Sequence, residues 1–414
     1  MHYGIVSIGS RGDVQPYVAL ALSLRERGQE ATVMAHENFK DFVEGYGVKF
    51  IPLTGNVEAM LQSEEGMRTV RAGNIVAFTR YLQKITQKIA DSIVSDIFET
   101  CKTMDVLIAS LLALPWVQGI SEKLGKKWAL VQLNLPTVPT KAFPMAGLDF
   151  FNFPAYNKLT YRFYAFAYHQ AGKKLIDGFR KSLDLPRMKT SLMKKIEDEK
   201  ILNLHCFSPS LLARPDDWAA QNQITGFLFL PSTTNERIPI ELIHWLNAGH
   251  KPIYIGFGSI PIPNPKKIIS ILKELLEESN NRFIFCQGWS FPIDLPKHPN
   301  LFLVESISHQ WLFPFCKTAI IHGGVGTTAA VLNAKIPAII VSIIADQPWW
   351  GKIIERKKLG FHIPFKKLST QKLLAAINKS QSAEIIQNAL AIGEKISREN
   401  GLGKTLDALE NHFF

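Results

Sequence analysis

Thr318 to Ala334 reads TAIIHGGVGTTAAVLNA, and this stretch decides the fold class. Thr318 to Ile321 is a short apolar run of strand type. A glycine-rich loop from His322 to Thr328 follows, and Ala329 to Ala334 begins a helical pattern. A strand passing through a glycine loop into a helix is half of a βαβ unit, whose strands lie parallel.

The same rhythm continues outward. Upstream lie candidate strands at Pro252–Phe257, Arg282–Cys286 and Leu301–Val304, with a helix over Pro265–Ser279 that has proline in its first turn. Downstream is Ala338–Val341. In the first half, Tyr3–Ile8 precedes Val14, Tyr17, Val18, Ala21 and Leu22, which share one helix face. Gly28 stops that helix and Glu30–Ala35 restarts the strand series. Val106–Ser110 and Trp128–Leu133 continue it around a helical stretch at Val117–Leu124. Strands alternating with helices predict an α/β protein with two Rossmann-like, doubly wound parallel-sheet domains facing across a cleft. Pro209, Pro215, Pro231 and Pro239 interrupt a polar stretch, and STTNER at 232–237 is its most linker-like part. The expected domains are therefore 1–230 and 231–390, with 391–414 as a helical tail.

The chain has 414 residues, 46% of them hydrophobic and 20% charged, with a formal charge of +11. That is globular composition, with enough apolar surface to offset the entropy of ordering. Cys101, Cys206, Cys286 and Cys316 form no CxxC or Cys/His cluster, so the reading excludes a zinc site and a disulfide scaffold and favours a reducing compartment. MHYGIVSIGSRGD at the start has no basic segment of signal-peptide type. The longest apolar stretch, Ile336 to Ala345, is ten residues and contains Pro337, where a membrane span needs about 20. A soluble cytoplasmic protein is expected, touching a membrane at most from the side.

Several loops can carry chemistry. Glycines in HGGVGTT let a ligand approach the backbone, and the first amides of the following helix point outward unpaired. Phosphate suits such a mouth, with the hydroxyls of Thr327 and Thr328 and the His322 ring as added donors. The plainer reading is a tight strand-to-helix turn with a packed histidine. GFGSIPIPNP, Gly256 to Pro265, ends another strand of the same half, and Gly258 and Ser259 can serve the same anion. Together the two loops point to a diphosphate at the strand carboxyl ends. Asp346 and Gln347 follow the strand Ala338–Val341; a carboxylate beside an amide can clamp vicinal hydroxyls, or Asp346 simply caps the helix opening at Pro348.

GSRGDVQP, Gly9 to Pro16, leaves the first strand at its carboxyl end. Asp13 is either an ordinary N-cap or a carboxylate able to take a proton from an attacking hydroxyl. From Phe150 to Tyr168 there are nine aromatics in nineteen residues, and residues 141–200 carry twelve Lys/Arg against six Asp/Glu. That segment is either a core helix with a solvated basic face or an apolar pocket or surface for a greasy partner. Its basic residues are spread out without a nucleic-acid module, so no nucleic-acid partner is expected. GLGKT, Gly401 to Thr405, lacks the first glycine of a Walker A loop, and GSRGDV lacks GxGxxG spacing, which disfavours an NAD enzyme.

These residues together resemble the inverting nucleotide-sugar glycosyltransferases of the GT-B architecture. The similarity is strongest to the branch holding sterol glucosyltransferases and the bacterial aglycone glycosyltransferases of antibiotic pathways. It covers nearly the whole chain: GSRGDVQP, GFGS at Gly256, and HQWLFPFCKTAIIHGGVGTTAAVLNAKIPAIIVSIIADQPWWG from His309 to Gly351. The resemblance implies that Asp13 is the general base and that His322, Gly324, Gly326 and Thr327, with Ser259, hold the donor diphosphate. It further implies that Asp346 and Gln347 hold the sugar, that backbone near Ile307 meets the nucleobase, and that Ser10 and Arg11 lie near the donor phosphates. Phe143, Phe150, Phe151, Tyr164 and Trp116 are the acceptor-binding candidates. The carboxyl-terminal helix would cross back onto the first domain.

Plant members of the wider family place a base-stacking tryptophan where Ser306 falls and a histidine base where Asp13 stands; both departures are shared with the sterol and bacterial branch. The implied reaction is a single displacement that moves a hexose, glucose foremost, from a nucleotide diphosphate such as UDP to an apolar acceptor hydroxyl. No metal and no bound cofactor are expected, since the sequence has no DxD pair. The alternatives are a nucleotide-sugar epimerase on the same fold and a non-catalytic nucleotide-sugar or lipid-binding protein. A fatty acceptor would give the basic segment a role against an anionic membrane.

Overall fold

The computed structural model describes residues 1–72, 81, 92–93, 95–231, 238–258, 261–288, 295 and 297–414. The 232–237 linker and Ser259 lie outside the described residues. The chain divides into two compact units: Met1–Met60, Val76–Leu230 and Glu399–Phe414 form one, and Leu61–Ile75 with Pro231–Arg398 form the other.

The first unit is built on a seven-stranded parallel sheet. Its strands are β1 (His2–Val6), β2 (Glu30–His36), β3 (Lys49–Leu53), β4 (Val106–Ala109), β5 (Lys127–Gln132), β6 (Leu202–His205) and β7 (Asn222–Ile224), in the order β3-β2-β1-β4-β5-β6-β7. The order reverses between β1 and β4, which pair with Val6 opposite Ala109. Ligands of open α/β sheets bind at the carboxyl ends beside such a reversal. Central strands such as VLIA are buried along their whole length, because helices cover both faces. Between β5, β6 and β7 runs a buried amide chain. Gln132 Nε2 donates to Asn203 Oδ1 (2.6 Å) and Asn203 Nδ2 donates to Asn222 Oδ1 (2.9 Å). Each pair satisfies groups that would otherwise destabilise the interior.

A long helix, Pro154–Ser182, is pinned to the helix Leu114–Leu124 at its carboxyl end. Arg180 is 4% exposed and donates to both oxygens of Glu122 (2.8 and 3.0 Å), and this guanidinium holds the Glu122 carboxyl down at about 2. Gly119 lets Phe179 in: a Cβ there would stand 2.5 Å from the Phe179 ring.

The second unit has a six-stranded parallel sheet of β8 (Ile253–Gly256), β9 (Phe283–Cys286), β10 (Leu301–Val304), β11 (Thr318–Ile321), β12 (Ala338–Ser342) and β13 (Gly360–Pro364), ordered β10-β9-β8-β11-β12-β13. Its reversal lies between β8 and β11, where Gly256 pairs with Ile321. The two glycine loops singled out in the sequence therefore leave adjacent strands.

The expected tail 391–414 divides differently. The helix Ala383–Arg398 stays with the second unit, packed so closely on the helix Val325–Asn333 that a Cβ on Gly393 would stand 2.5 Å from the Leu332 carbonyl oxygen. Only the last helix, Gly401–Phe413, joins the first unit. Arg27 pairs with Asp407 (2.8 Å) and Glu410 (2.7 Å), and Lys127 Nζ donates to the Phe413 carbonyl (2.9 Å). GLGKT is the start of this helix. A Cβ on Gly401 would stand 2.3 Å from the Phe227 carbonyl oxygen, so its glycine serves packing. Residues 61–72 also depart from the expected 1–230 domain: they group with the second unit, where Lys366 Nζ donates to the Ala72 carbonyl (3.3 Å).

Candidate functional site

In the first unit the first helix starts at Arg11, earlier than the apolar periodicity indicates, and Ser10 occupies its N-cap position. Asp13 is thus in the first turn and does not itself cap the helix, which corrects the N-cap alternative. The Ser10 amide and hydroxyl both donate to Asp13 Oδ2, at 2.8 and 3.0 Å. Oδ1 accepts no bond from the described residues. Gly9, at φ +145°, makes the arrangement sterically possible, since a Cβ there would stand 2.3 Å from Oδ2. Burial raises the Asp13 carboxyl above its ordinary range, with the two Ser10 bonds pulling the other way. The result is a fixed, half-buried carboxylate of increased basicity at the carboxyl end of β1. Arg11 is exposed, its guanidinium 4.6 Å from the centre of the Phe42 ring.

In the second unit His322 directly follows the strand β11 and is 7% exposed. Its ring lies against two glycines: a Cβ on Gly258 would stand 2.7 Å from His322 Cε1, and one on Gly324 would stand 2.4 Å from Nε2. Burial pushes the imidazole down to about 4, so it is neutral at pH 7. His322 Nδ1 is buried and has no partner among the described residues. Gly324 occupies the N-cap position of the helix Val325–Asn333, so the glycine loop itself forms the first turn. The amides of Val325, Gly326 and Thr327 belong to that turn, where an α-helix supplies no acceptor. Gly326 is exposed and Thr327 half-buried; Thr328 is 1% exposed, and its Oγ1, like His322 Nδ1, is buried without a partner among the described residues.

Asp346 and Gln347 follow β12, the neighbour of β11. A Cβ on Gly323 would stand 3.4 Å from the Gln347 Cβ, so the pair borders the glycine loop. Asp346 takes the N-cap position of the helix Gln347–Arg356, but its side chain makes no cap bond to it. The residue before it, Ala345, holds φ +60°, a left-handed conformation that a non-glycine residue adopts at a cost. Gln347 Oε1 accepts from the amides of Ile343 (2.7 Å) and Ile344 (3.0 Å). Its carbonyl is therefore engaged, and only the NH2 group remains to donate to a ligand; the expected donate-and-accept role is halved. Ile307 is half-buried in the loop after β10, two residues before His309, whose Nε2 is 3.0 Å from the Tyr254 hydroxyl.

The acceptor candidates scatter. Trp116 is 1% exposed inside the sheet core, packed among Val117, Ile120 and Phe179, and its size is used for packing. Phe150 and Phe151 are 77% and 63% exposed, so they stand on the surface and wall no buried pocket. Phe143 is half-buried. Tyr164 is half-buried beside Tyr168, with ring centres 6.1 Å apart, and burial pushes its hydroxyl up to about 12. Among the described residues no group of three or more His, Cys, Asp or Glu is arranged to hold a metal ion.

Gly9 and Ala345 were not singled out in the sequence. Gly9 had a visible signal, a glycine directly before a Ser-x-x-Asp helix start; the strain at Ala345 had none.

The Glycosyltransferase family 28 N-terminal domain matches residues 3–138. The chain is 32% identical over 431 residues to Sterol 3-beta-glucosyltransferase UGT80A2 of Arabidopsis thaliana, covering all of this chain and 66% of that protein. It is 30% identical over 420 residues to Sterol 3-beta-glucosyltransferase UGT80B1 of the same plant, covering 99% and 67%. A Cryptococcus neoformans sterol 3-beta-glucosyltransferase is 30% identical, but the chain spans only 27% of its length. Among solved structures, the glycotransferase of kitacinnamycin superposes with a TM-score of 0.72 at 14% identity, over 100% of this chain and 99% of the other. Glycosyltransferase VinC in complex with DTDP gives 0.68 at 14% identity, over 100% and 99%. With its two parallel sheets and a match to the plant relatives that spans this chain and about two thirds of their length, the chain belongs to the GT-B glycosyltransferase family that includes the sterol 3-beta-glucosyltransferases.

Proposed function

We propose that this chain transfers a hexose, glucose foremost, from a nucleoside diphosphate sugar of the UDP type to the hydroxyl of a sterol-like acceptor, inverting the anomeric centre. The observation that carries the reading is the His322 ring, neutral, buried against Gly258 and Gly324, with a nitrogen left unpaired at the mouth of a helix. A buried polar atom without a partner costs about 1–3 kcal/mol, and such a cost is tolerated where a ligand supplies the partner. A diphosphate fits: the first-turn amides meet its charge and the imidazole donates one N–H.

In the reaction the acceptor oxygen forms a bond to the anomeric carbon as the bond from that carbon to the diphosphate oxygen breaks. Asp13 Oδ1 takes the hydroxyl proton, and the electron pair leaves on the nucleoside diphosphate, where the amides of Val325, Gly326 and Thr327 stabilise it. Asp346 accepts from sugar hydroxyls and the Gln347 NH2 donates to one. Tyr164 and Phe143 are retained as acceptor contacts.

The test is a screen of nucleotide sugars against sterols and other apolar alcohols, read by mass spectrometry, with product configuration read by NMR. A β-hexoside formed from an α-linked donor supports the reading. Sugar isomerised without acceptor, or donor bound with no product from any alcohol, overturns it.

A further inference from the structure

Six large apolar side chains that stand in solvent fall within one short stretch of the first unit. Phe150, Phe151, Phe153, Leu159, Phe163 and Phe166 are each 52–77% exposed. The first three lie in the loop entering the helix Pro154–Ser182, and Leu159, Phe163 and Phe166 recur at i, i+4 and i+7 along it, which is one face. The same helix buries Asn157, Thr160 and Tyr161 on another side, so its core contact is already made by other residues. The loop rings are held together: Phe151 and Phe153 pack on Tyr156 with centres 5.4 and 5.6 Å apart. An apolar cluster of this size on a surface marks an interaction site.

Charge selects the occupant. Residues 141–182 carry seven Lys/Arg against Asp149 and Asp177. Of the seven, only Arg180 is buried and neutralised, by Glu122; Lys141, Arg162, Lys173 and Lys174 are exposed. We propose that this aromatic and basic face docks the protein on an anionic lipid bilayer, with the six apolar side chains entering the headgroup boundary and the cations meeting lipid phosphates. Phenylalanine and leucine on one helix face with Arg and Lys beside them is the pattern of an interfacial element. A second copy of the chain fits less well, since an isologous dimer would set the basic face against itself.

The experiment is co-sedimentation of the full chain with phosphatidylcholine vesicles that contain or lack phosphatidylserine, at low and high salt. The expected result is binding to the phosphatidylserine vesicles that weakens with salt. Phe163→Gln with Phe166→Gln is expected to lower the partition coefficient at least about tenfold, and Lys173→Glu with Lys174→Glu to remove the preference for phosphatidylserine. Equal binding by wild type and both variants overturns the proposal. So does an absence of vesicle binding, or finding that the same substitutions abolish self-association or oligonucleotide binding instead. Docking stands apart from the transfer chemistry: Asp13→Asn is expected to sediment like wild type, so either reading can fail alone.

Discussion

Ser10 holds Asp13 through a single oxygen: its amide and its hydroxyl both reach Oδ2, at 2.8 and 3.0 Å. One carboxylate oxygen is thereby fixed in place by the helix start, and the other, which accepts no bond from the described residues, is the one the proposed reaction uses. Asp13→Asn preserves the shape and removes the base. Turnover should fall at least about a hundredfold, the scale of general-base catalysis, while calorimetry shows nucleoside diphosphate binding unchanged. Near-normal turnover would remove Asp13 from the mechanism.

The same pair sets a pH dependence. A base works deprotonated, so kcat/KM falls as pH drops through its pKa. Burial raises the Asp13 pKa, and the Ser10 hydroxyl lowers it by stabilising the charged form. Ser10→Ala should therefore move the acid limb of the profile to higher pH, leaving the plateau rate closer to wild type than Asp13→Asn does. An acid limb that stays put, or moves to lower pH, would show that the limb belongs to another group.

The strongly apolar strands and the glycine loops were legible in the sequence because period and punctuation agree there. The strands β3, β6, β7 and β13 were not. KFIPL carries Pro52, which a sheet tolerates at its edge, where β3 lies. LNLH and NQI hold the buried amides of Asn203 and Asn222, polar residues whose burial is satisfied only by each other and by Gln132. β13, GFHIP, carries His362, whose Nε2 is 2.8 Å from the Ser342 hydroxyl of the adjacent β12, a cross-strand pairing that pattern alone does not reveal. The helices after β1 and β11 begin three and four residues before their apolar periodicity does, because their first turns follow the N-cap positions of Ser10 and Gly324 and are not marked by core packing. The aromatic segment left pocket and surface both open for a related reason: composition shows that Phe150 and Phe151 are apolar, but only tertiary structure shows that they stay outside.

Gln347 separates a structural role from a binding role. Its Oε1 accepts two backbone amides in the turn after β12, and its NH2 is the part assigned to the sugar. Gln347→Glu keeps an acceptor oxygen for both amides and loses the donor; its charge is buried at a side chain 1% exposed, so Tm should fall, but less than in Gln347→Ala, while the KM for the donor sugar rises. Gln347→Ala strands two amides as well, each costing about 1–3 kcal/mol, so Tm should drop further. Equal Tm losses in both variants would confine Gln347 to a structural role.

Acid stability follows from buried histidines, whose pKa burial lowers at His36, His205 and His322. Burial lowers His205 from 6.5 to about 3 and His322 from 6.5 to about 4. Between those values and 6.5 the unfolded chain binds protons that the folded chain does not, so stability falls on acidification, by at most about 1.4 kcal/mol per pH unit for each group. His205 packs on Trp218 with ring centres 4.7 Å apart and planes tilted by 32°, and neither ring nitrogen has a partner among the described residues. His205→Leu is close in volume and should match or exceed wild-type stability at pH 7, with a shallower loss in urea midpoint from pH 6.5 downward. An unchanged slope would mean that His205 is not the titrating group.

Gly326 gives the cleanest test of the donor site, because in the free protein a side chain there is harmless. A Cβ at Gly326 meets nothing within 4 Å, whereas one at Gly324 would stand 2.4 Å from His322 Nε2 and disturb the loop even without ligand. Alanine in place of glycine within a helix stabilises by about 0.5–1 kcal/mol, so Gly326→Ala should leave Tm equal or raised. If the diphosphate sits against the first-turn amides, the new methyl occupies its space, and calorimetric affinity for UDP should fall about tenfold or more, which is about 1.4 kcal/mol or above. Loss of affinity at an unchanged or higher Tm can come only from the ligand's own approach to this turn. Unchanged affinity would place the diphosphate elsewhere and detach His322 from its assigned role.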